Sequence, residues 1–117
     1  MQILVVDDDK VARATITKFL SRLNHSVVEC ANAEQAIREI VEKTFDLVLS
    51  DIKMSQVSGI DLLRTITVLP GCSQLDVVLV TGYGTLESAI AAIRAGAMDY
   101  LLKPVEAKDL ARILKQV

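Results

Sequence analysis

Cysteine is scarce in this chain of 117 residues, and the two that are present, Cys30 and Cys72, lie far apart. Zinc clusters and CxxC redox sites need cysteines in close pairs, so the spacing argues against both kinds of site. We therefore expect two reduced thiols with a mainly structural role.

Long hydrophobic runs and an excess of basic residues are also lacking. No apolar segment approaches the ~20 residues that span a bilayer, and a strand is predicted directly after Met1, which leaves no room for a signal peptide. We therefore expect a cytoplasmic protein that binds no membrane. The formal net charge is −2, which gives no electrostatic reason for this domain to bind nucleic acid.

Apolar residues, by contrast, are plentiful at 51 %, enough to fill the core of one domain of this length. No internal repeat, low-complexity stretch or linker interrupts the chain. We expect a single domain over residues 1–117. The chain stops within an amphipathic segment, which predicts that the domain was excised from a longer protein.

Strand-like runs alternate with amphipathic segments along the sequence. The predicted strands are residues 2–6, 27–30, 46–50, 76–80 and 98–102. The predicted helices are residues 10–23, a second with Asn32 as its cap, a third that ends before Pro70, residues 86–95 and residues 105–117. Such alternation is typical of an α/β fold, a doubly wound parallel sheet with helices on both faces.

Helical spacing also predicts which side chains of the helices are buried. The expected buried residues include Ala12, Ile16, Phe19, Leu20 and Leu23 in the first helix, Ala33, Ala36, Ile37, Ile40 and Val41 in the second, Ala89, Ile90 and Ile93 in the fourth, and Leu110, Ile113, Leu114 and Val117 in the fifth. Residues 51–59 are expected to form a loop, with Gly59 as its flexible point.

Four of the predicted strands end in polar residues. These residues are Asp7, Asp8 and Asp9 after the first strand, Asp51 after the third, Thr81 after the fourth and Lys103 after the fifth. Because the carboxyl ends of parallel strands face one crevice, we expect carboxylates, a hydroxyl and an ammonium group to meet there.

This combination of groups predicts phosphoryl transfer. Two carboxylates ~4 Å apart repel each other by about 4 kcal/mol at an effective dielectric near 20, so a bound cation is expected, and oxygen ligands favour Mg²⁺. Asp51 can attack phosphorus to form an acyl phosphate. Lys103 then supplies a cation for the phosphoryl oxygens, and Thr81 supplies a hydroxyl donor.

The ordered set of motifs resembles the receiver domain of two-component response regulators, over the whole chain. The motifs are Val6-Asp7-Asp8, Leu49-Ser50-Asp51-Ile52-Lys53-Met54, Thr81-Gly82 and Tyr100-Leu101-Leu102-Lys103-Pro104. The resemblance implies a flavodoxin-like (βα)5 sheet of order 2-1-3-4-5. It also implies transfer of a phosphoryl group to Asp51 from a histidine kinase or phosphotransfer domain.

The resemblance further implies a metal site and a switch. Mg²⁺ would be held by Asp8, Asp51 and the backbone carbonyl of Lys53, with Asp7 acting through water. On phosphorylation Thr81 would move toward the phosphoryl group and Tyr100 would turn inward. This motion would reshape the face built from the fourth helix, fifth strand and fifth helix, which would control an output domain, a partner or a homodimer.

Finer expectations also come from the resemblance. The domain would not be an enzyme, although it would phosphorylate itself from phosphohistidine or small donors and lose the group slowly. Lys53 and Tyr83 would tune the lifetime of the acyl phosphate, and Ser55 stands where the family often has proline. The Lys103-Pro104 bond is expected to be cis. The loops resemble those of receivers attached to sigma-54-dependent activators or hybrid kinases.

Other functions remain open at this point. Residues 6–11 also fit the Asp-x-Asp-x-Val pattern of haloacid dehalogenase type phosphatases, in which Asp7 would be the nucleophile and Asp9 the acid/base. A receiver-like interaction module that works without phosphorylation is a second alternative. A flavin-binding domain of the same fold is a third, although the clustered acids would repel the phosphate of the cofactor.

Overall fold

The computed structural model describes residues 1–54, 56–72, 74–82 and 84–117, in which strands and helices alternate. The strands are β1 (Gln2–Val6), β2 (Ser26–Cys30), β3 (Leu47–Asp51), β4 (Asp76–Thr81) and β5 (Asp99–Leu102). The helices are α1 (Lys10–Arg22), α2 (Ala33–Glu42), α3 (Gly59–Val68), α4 (Leu86–Arg94) and α5 (Ala107–Gln116).

The five strands form one parallel sheet in the order β2-β1-β3-β4-β5. This order confirms the predicted fold and strand order. The register pairs Val6 with Ser50, Asp51 with Val80 and Thr81 with Leu102, so the carboxyl ends of the central strands lie level with one another.

Apolar side chains fill both faces of the sheet. On one face, Leu4, Val48 and Leu79 pack with residues of α2, α3 and α4. On the other face, the sheet packs against α1 and α5, with Leu20 and Ile113 both fully buried. Central strands covered on both sides are almost wholly apolar, which is why they are easy to recognise in the sequence.

Side-chain caps fix where four of the helices begin. Asp9, Asn32, Ser58 and Thr85 each precede a helix and accept hydrogen bonds from backbone amides of its first turn. Asn32 was predicted in this role, and its Oδ1 accepts from the Gln35 amide at 2.9 Å. Gly96 follows α4 with a φ of 101°, which fits the predicted helix stop.

Two expectations about residues 51–59 are wrong. Asp51 is the last residue of β3 and not the first of a loop. Gly59 is not a flexible loop residue, because it is the buried first residue of α3 and its amide donates to the Ile52 carbonyl at 2.8 Å. Gln56, with a φ of 73°, takes the left-handed conformation in this segment instead.

Several predicted core side chains lie at the surface. Val41 of α2 is 68 % exposed, and Leu23 after α1 and the terminal Val117 are also exposed. In α4 the error is larger, since Ala92 is its buried residue while Ile90 is exposed and Ile93 is 66 % exposed. Periodicity locates an apolar face but does not reveal whether the face meets the core, and α4 packs through its small side chains.

Candidate functional site

The carboxyl ends of four strands bring the predicted polar residues together. Asp7 and Asp8 follow β1, Asp51 ends β3, Thr81 ends β4 and Lys103 follows β5. Backbone hydrogen bonds extend the ladders past the strand ends, from the Ile52 amide to Val80 and from the Lys103 amide to Thr81. The site residues are therefore held by the sheet itself.

Asp7, Asp8 and Asp51 form a carboxylate cluster. One oxygen of each lies within 4.8 Å of the others, and Asp7 and Asp51 are buried while Asp8 is exposed. Oxygen ligands at this spacing, with one side open to water, fit Mg²⁺, which keeps several waters when it binds to proteins. The donor set therefore suits the metal that the sequence predicted.

Lys103 is the cation that faces this cluster. Its Nζ donates to Asp7 Oδ2 at 2.8 Å and lies 3.4 Å from Asp51 Oδ2. Partial burial lowers the pKa of the ammonium, but the hydrogen bond to Asp7 and the charge of Asp51 outweigh burial and raise the pKa above its ordinary value. Lys103 is charged at neutral pH.

Asp51 has an unusually high pKa for an aspartate. Burial of the side chain, and secondly the charge of Asp7, raise the pKa from 3.8 to about 6, while Lys103 opposes the rise. The carboxylate is ionised at neutral pH but at a cost in free energy. A group that is both poorly solvated and ionised is suited to act as a nucleophile.

The loop between β1 and α1 is tightly held. The Asp9 amide donates to Asp7 Oδ1 at 2.9 Å, and the Asp9 side chain caps α1 by accepting from the amides of Val11 and Ala12. Arg13 Nη1 donates to the backbone carbonyl of Asp7 at 2.6 Å. Arg13 was not predicted as a site residue, although it lies one turn after the cap of α1.

Thr81 and Tyr100 lie on adjacent strands at the edge of the site. Thr81 is buried and Tyr100 is half-buried. The Tyr100 hydroxyl lies 2.8 Å from Ser88 Oγ, and Ser88 also completes the capping box of α4 with Thr85. A single hydroxyl thus links the aromatic ring to the start of α4, a contact that the sequence analysis missed.

Gly59 lets α3 pack directly against the backbone of Asp51. A Cβ at this position would lie 2.2 Å from the Asp51 carbonyl oxygen and 2.9 Å from the carbonyl carbon. Such distances are impossible for carbon, so α3 can approach β3 this closely only with glycine at position 59. The close approach was not predicted, although the glycine itself was noted.

The remaining predicted features have mixed outcomes. The Lys103-Pro104 bond is cis, as expected. Lys53 lies in the loop after β3 and is exposed. Tyr83 and Ser55 lie outside the described residues, so the expectations about them stay predictions.

Comparison with known families decides the identity of the fold. The model of the response regulator receiver domain matches residues 3–115. This chain belongs to the response regulator receiver domain family. The resemblance noted in the sequence is therefore confirmed, including the assignment to two-component regulators.

Curated relatives of this receiver domain are much longer proteins. The chain is 36 % identical over 117 residues to the transcriptional regulatory protein ZraR of Escherichia coli K12, covering 99 % of this chain and 26 % of that protein. It is 38 % identical over 110 residues to the response regulator protein FleR of Pseudomonas aeruginosa, covering 93 % and 23 %. The chain thus spans about a quarter of the length of these relatives.

Solved receiver structures superpose closely on this one. A CheY-like receiver domain from Methanospirillum hungatei gives a TM-score of 0.91 at 32 % identity, covering 98 % of this chain and 90 % of that one. A response regulator receiver protein from Pseudomonas putida gives 0.92 at 30 % identity, covering 99 % and 96 %. Among the described residues of this receiver domain, no helix is long and apolar enough to cross a membrane.

Proposed function

We propose that this receiver domain accepts a phosphoryl group on Asp51 from a histidine kinase or phosphotransfer domain. The observation that carries the proposal is the position of Asp51, which is 6 % exposed, raised in pKa and placed 3.4 Å from Lys103 beside two further carboxylates. A structural aspartate at a strand end needs neither the neighbouring acids nor the lysine. The combination suits a nucleophile for phosphorus.

The proposed metal is Mg²⁺, held by Asp8, Asp51 and the backbone carbonyl of Lys53, with Asp7 acting through water. The spacing of the three carboxylates supports this assignment. When bound, the ion supplies charge neutralisation for the phosphoryl oxygens.

The proposed reaction combines the phosphorylated imidazole of the donor with Asp51 and Lys103 of this site. A carboxylate oxygen of Asp51 forms a bond to phosphorus while the bond from phosphorus to the imidazole nitrogen of the donor breaks, and the imidazole keeps that electron pair. Lys103, now paired with Asp7 and Asp51, can donate to the phosphoryl oxygens. We propose that the domain phosphorylates itself in this way and loses the group slowly, without being an enzyme for a separate substrate.

The proposed switch uses Thr81 and Tyr100. Thr81 moves toward the phosphoryl group, and Tyr100 turns inward, which breaks the contact of its hydroxyl with Ser88. Because Ser88 belongs to the cap of α4, this motion is coupled to the position of that helix. Lys53 and Tyr83, two residues after Asp51 and Thr81, are proposed to tune the lifetime of the acyl phosphate.

The output surface is proposed to be the face formed by α4, β5 and α5. This face exposes four large aliphatic side chains, those of Leu86, Ile90, Ile93 and Leu102. Their exposure supports a partner contact, either a homodimer or an output domain in a longer protein. Residues 1–117 are then one receiver domain of a cytoplasmic regulator in which any contact with DNA belongs to the output domain.

The kinase surface is proposed to lie beside the phosphorylation site. A groove of about 400 Å³ opens next to Lys103, between α1 and the segment that follows β5. Its lining includes the exposed apolar side chain of Val11. We propose that a donor domain that reaches Asp51 contacts this part of the surface.

Mapping of the phosphorylated residue tests the proposal. The protein is incubated with acetyl phosphate and Mg²⁺, the acyl phosphate is reduced with borohydride, and the modified peptide is identified by mass spectrometry. We expect modification at Asp51. Modification at Asp7 that persists in Asp51→Asn would instead favour the phosphatase hypothesis. That hypothesis is already weakened because the Asp9 side chain caps α1.

A second experiment tests the switch separately from the chemistry. Thr81→Ala should leave phosphorylation of Asp51 measurable but uncouple it from dimerisation or partner binding. Thr65→Ala, at a half-buried position of α3 away from the site, serves as a matched control. Full coupling in Thr81→Ala would remove Thr81 from the switch.

A further inference from the structure

The geometry points to Arg13 as a positioning residue for the metal site. We propose that its guanidinium group fixes the loop that carries Asp7 and Asp8, and so sets the affinity of the site for Mg²⁺. The inference rests on the proposed function, because it concerns the same site. Arg13 touches neither a phosphoryl group nor a metal position and acts through the backbone of Asp7.

Two contacts place Arg13 between the loop and the sheet. Its Nη1 donates to the Asp7 carbonyl at 2.6 Å, and its Nε lies 3.3 Å from Glu29 Oε1 on β2. The side chain is 15 % exposed, far less than a solvated arginine on a helix surface. The guanidinium group donates to both partners at once, because its Nε and Nη1 point to different groups.

The Asp7 carbonyl matters because it belongs to the peptide plane that leads to Asp8. That plane is rigid, so fixing the carbonyl also fixes the amide and the chain direction of Asp8. The Asp7 amide is held separately, by the Cys30 carbonyl of β2 at 3.1 Å. Arg13 therefore holds the carbonyl group of Asp7, which is the group that is joined to Asp8.

Repulsion is the reason that this loop needs a restraint. Asp7, Asp8 and Asp9 are consecutive, and Asp51 lies opposite the first two. Without a fixed backbone the exposed Asp8 side chain would turn toward water and away from Asp51. Partners that orient metal ligands typically change metal affinity by 10- to 100-fold when they are removed.

A purely electrostatic role for Arg13 predicts the opposite sign. A cation close to a Mg²⁺ site repels the ion, so removing the charge would tighten binding by roughly two- to fourfold. A positioning role predicts weaker binding. The direction of the change therefore separates the two accounts.

The experiment is a titration of the ¹⁵N-labelled protein with MgCl₂, followed through its amide resonances. Arg13→Met removes the guanidinium group, and Arg13→Lys keeps the charge but not the fork. Lys18→Met removes one exposed cation from the same helix and controls for net charge. Glu29→Gln weakens the contact that holds the Arg13 guanidinium group on β2. Urea unfolding of each variant confirms that it is folded.

We expect the Kd for Mg²⁺ to rise about tenfold in Arg13→Met and at least threefold in Arg13→Lys, while Lys18→Met stays within about twofold of the wild type. Glu29→Gln should raise the Kd less than Arg13→Met does, because the contact of Arg13 with the Asp7 carbonyl remains. Unchanged or tighter binding in Arg13→Lys would overturn the inference, and that variant decides if Arg13→Met does not fold. An equal loss in Lys18→Met would also overturn it, because the effect would then come from the net charge and not from the contacts of Arg13. Absence of Mg²⁺ binding by the wild type would refute the proposed function, and the inference with it.

Discussion

Replacement of Asp51 by asparagine should stabilise the metal-free protein at neutral pH. The structure buries an ionised carboxylate beside Asp7, and this environment raises the pKa of Asp51 from 3.8 to about 6. Asparagine has nearly the same shape and can still accept a hydrogen bond from Lys103, but it carries no charge. The variant therefore removes the repulsion and keeps the packing.

The sign follows from proton linkage. A carboxyl group with a higher pKa in the folded than in the unfolded protein binds more protons when folded, between those two values. The free energy of unfolding then falls as the pH rises from about 4 to about 6. The wild type should be about as stable as Asp51→Asn at pH 4, become less stable than the variant between pH 4 and 6, and remain less stable at higher pH.

The size of the effect follows from the same pKa values. A change from 3.8 to about 6 corresponds to about 3 kcal/mol, at about 1.4 kcal/mol for each pKa unit. For 117 residues the unfolding entropy is about 0.25 kcal/mol/K, so Tm should rise by about 10 °C.

The assay is urea unfolding followed by circular dichroism, in EDTA, at pH 4, 5, 6 and 7.5. Glu42→Gln removes one negative charge from an exposed position and should change stability by less than about 0.5 kcal/mol. A stability difference between the wild type and Asp51→Asn that is the same at every pH would refute the reasoning. So would an Asp51→Asn variant that is less stable at pH 7.5.

Three further predictions concern the surroundings of the site. Gly59→Ala should lower the free energy of unfolding in urea by about 1–3 kcal/mol and slow phosphorylation, because the added methyl group would clash with the backbone of Asp51. A variant as stable as the wild type would contradict the close approach of α3 to β3. Cys30 should resist iodoacetamide at pH 8 while Cys72 is modified. Burial raises the pKa of Cys30 to about 11, so about one Cys30 side chain in a thousand is a thiolate at pH 8. Equal rates of modification of the two cysteines in peptide mass spectra would contradict this. Asn32→Ala should cost about 1 kcal/mol through loss of the α2 cap, and an unchanged urea midpoint would show that the cap contributes nothing.

The sheet and the site residues were predictable because both follow from short-range patterns. Buried parallel strands are nearly continuous apolar runs, and the polar residue that ends each run marks the crevice. Asp51, Thr81 and Lys103 could be located in this way without knowledge of any contact. Parallel strand pairing then brings the strand ends together, as the structure shows.

The features that were missed depend on how elements pack against each other. The outward face of α4 was wrongly predicted as buried because Ile90 and Ile93 have the spacing of a core stripe, whereas the helix meets the sheet through Ala92. Gly59 was taken as flexible because one sequence cannot show that α3 approaches the Asp51 carbonyl. Arg13 was not predicted as a site residue, because one of its two partners is a backbone carbonyl and a sequence does not show which side chain reaches such a group.

Intact mass after incubation with acetyl phosphate, with and without Mg²⁺, tests the central claim most directly. The account predicts an adduct of one phosphoryl group that requires Mg²⁺ and vanishes in Asp51→Asn. A beryllofluoride mimic, followed by NMR, should bind under the same conditions. No adduct on the wild type, or an equal adduct on Asp51→Asn, would contradict a phospho-accepting role for Asp51, and the first result would favour an interaction module that works without phosphorylation.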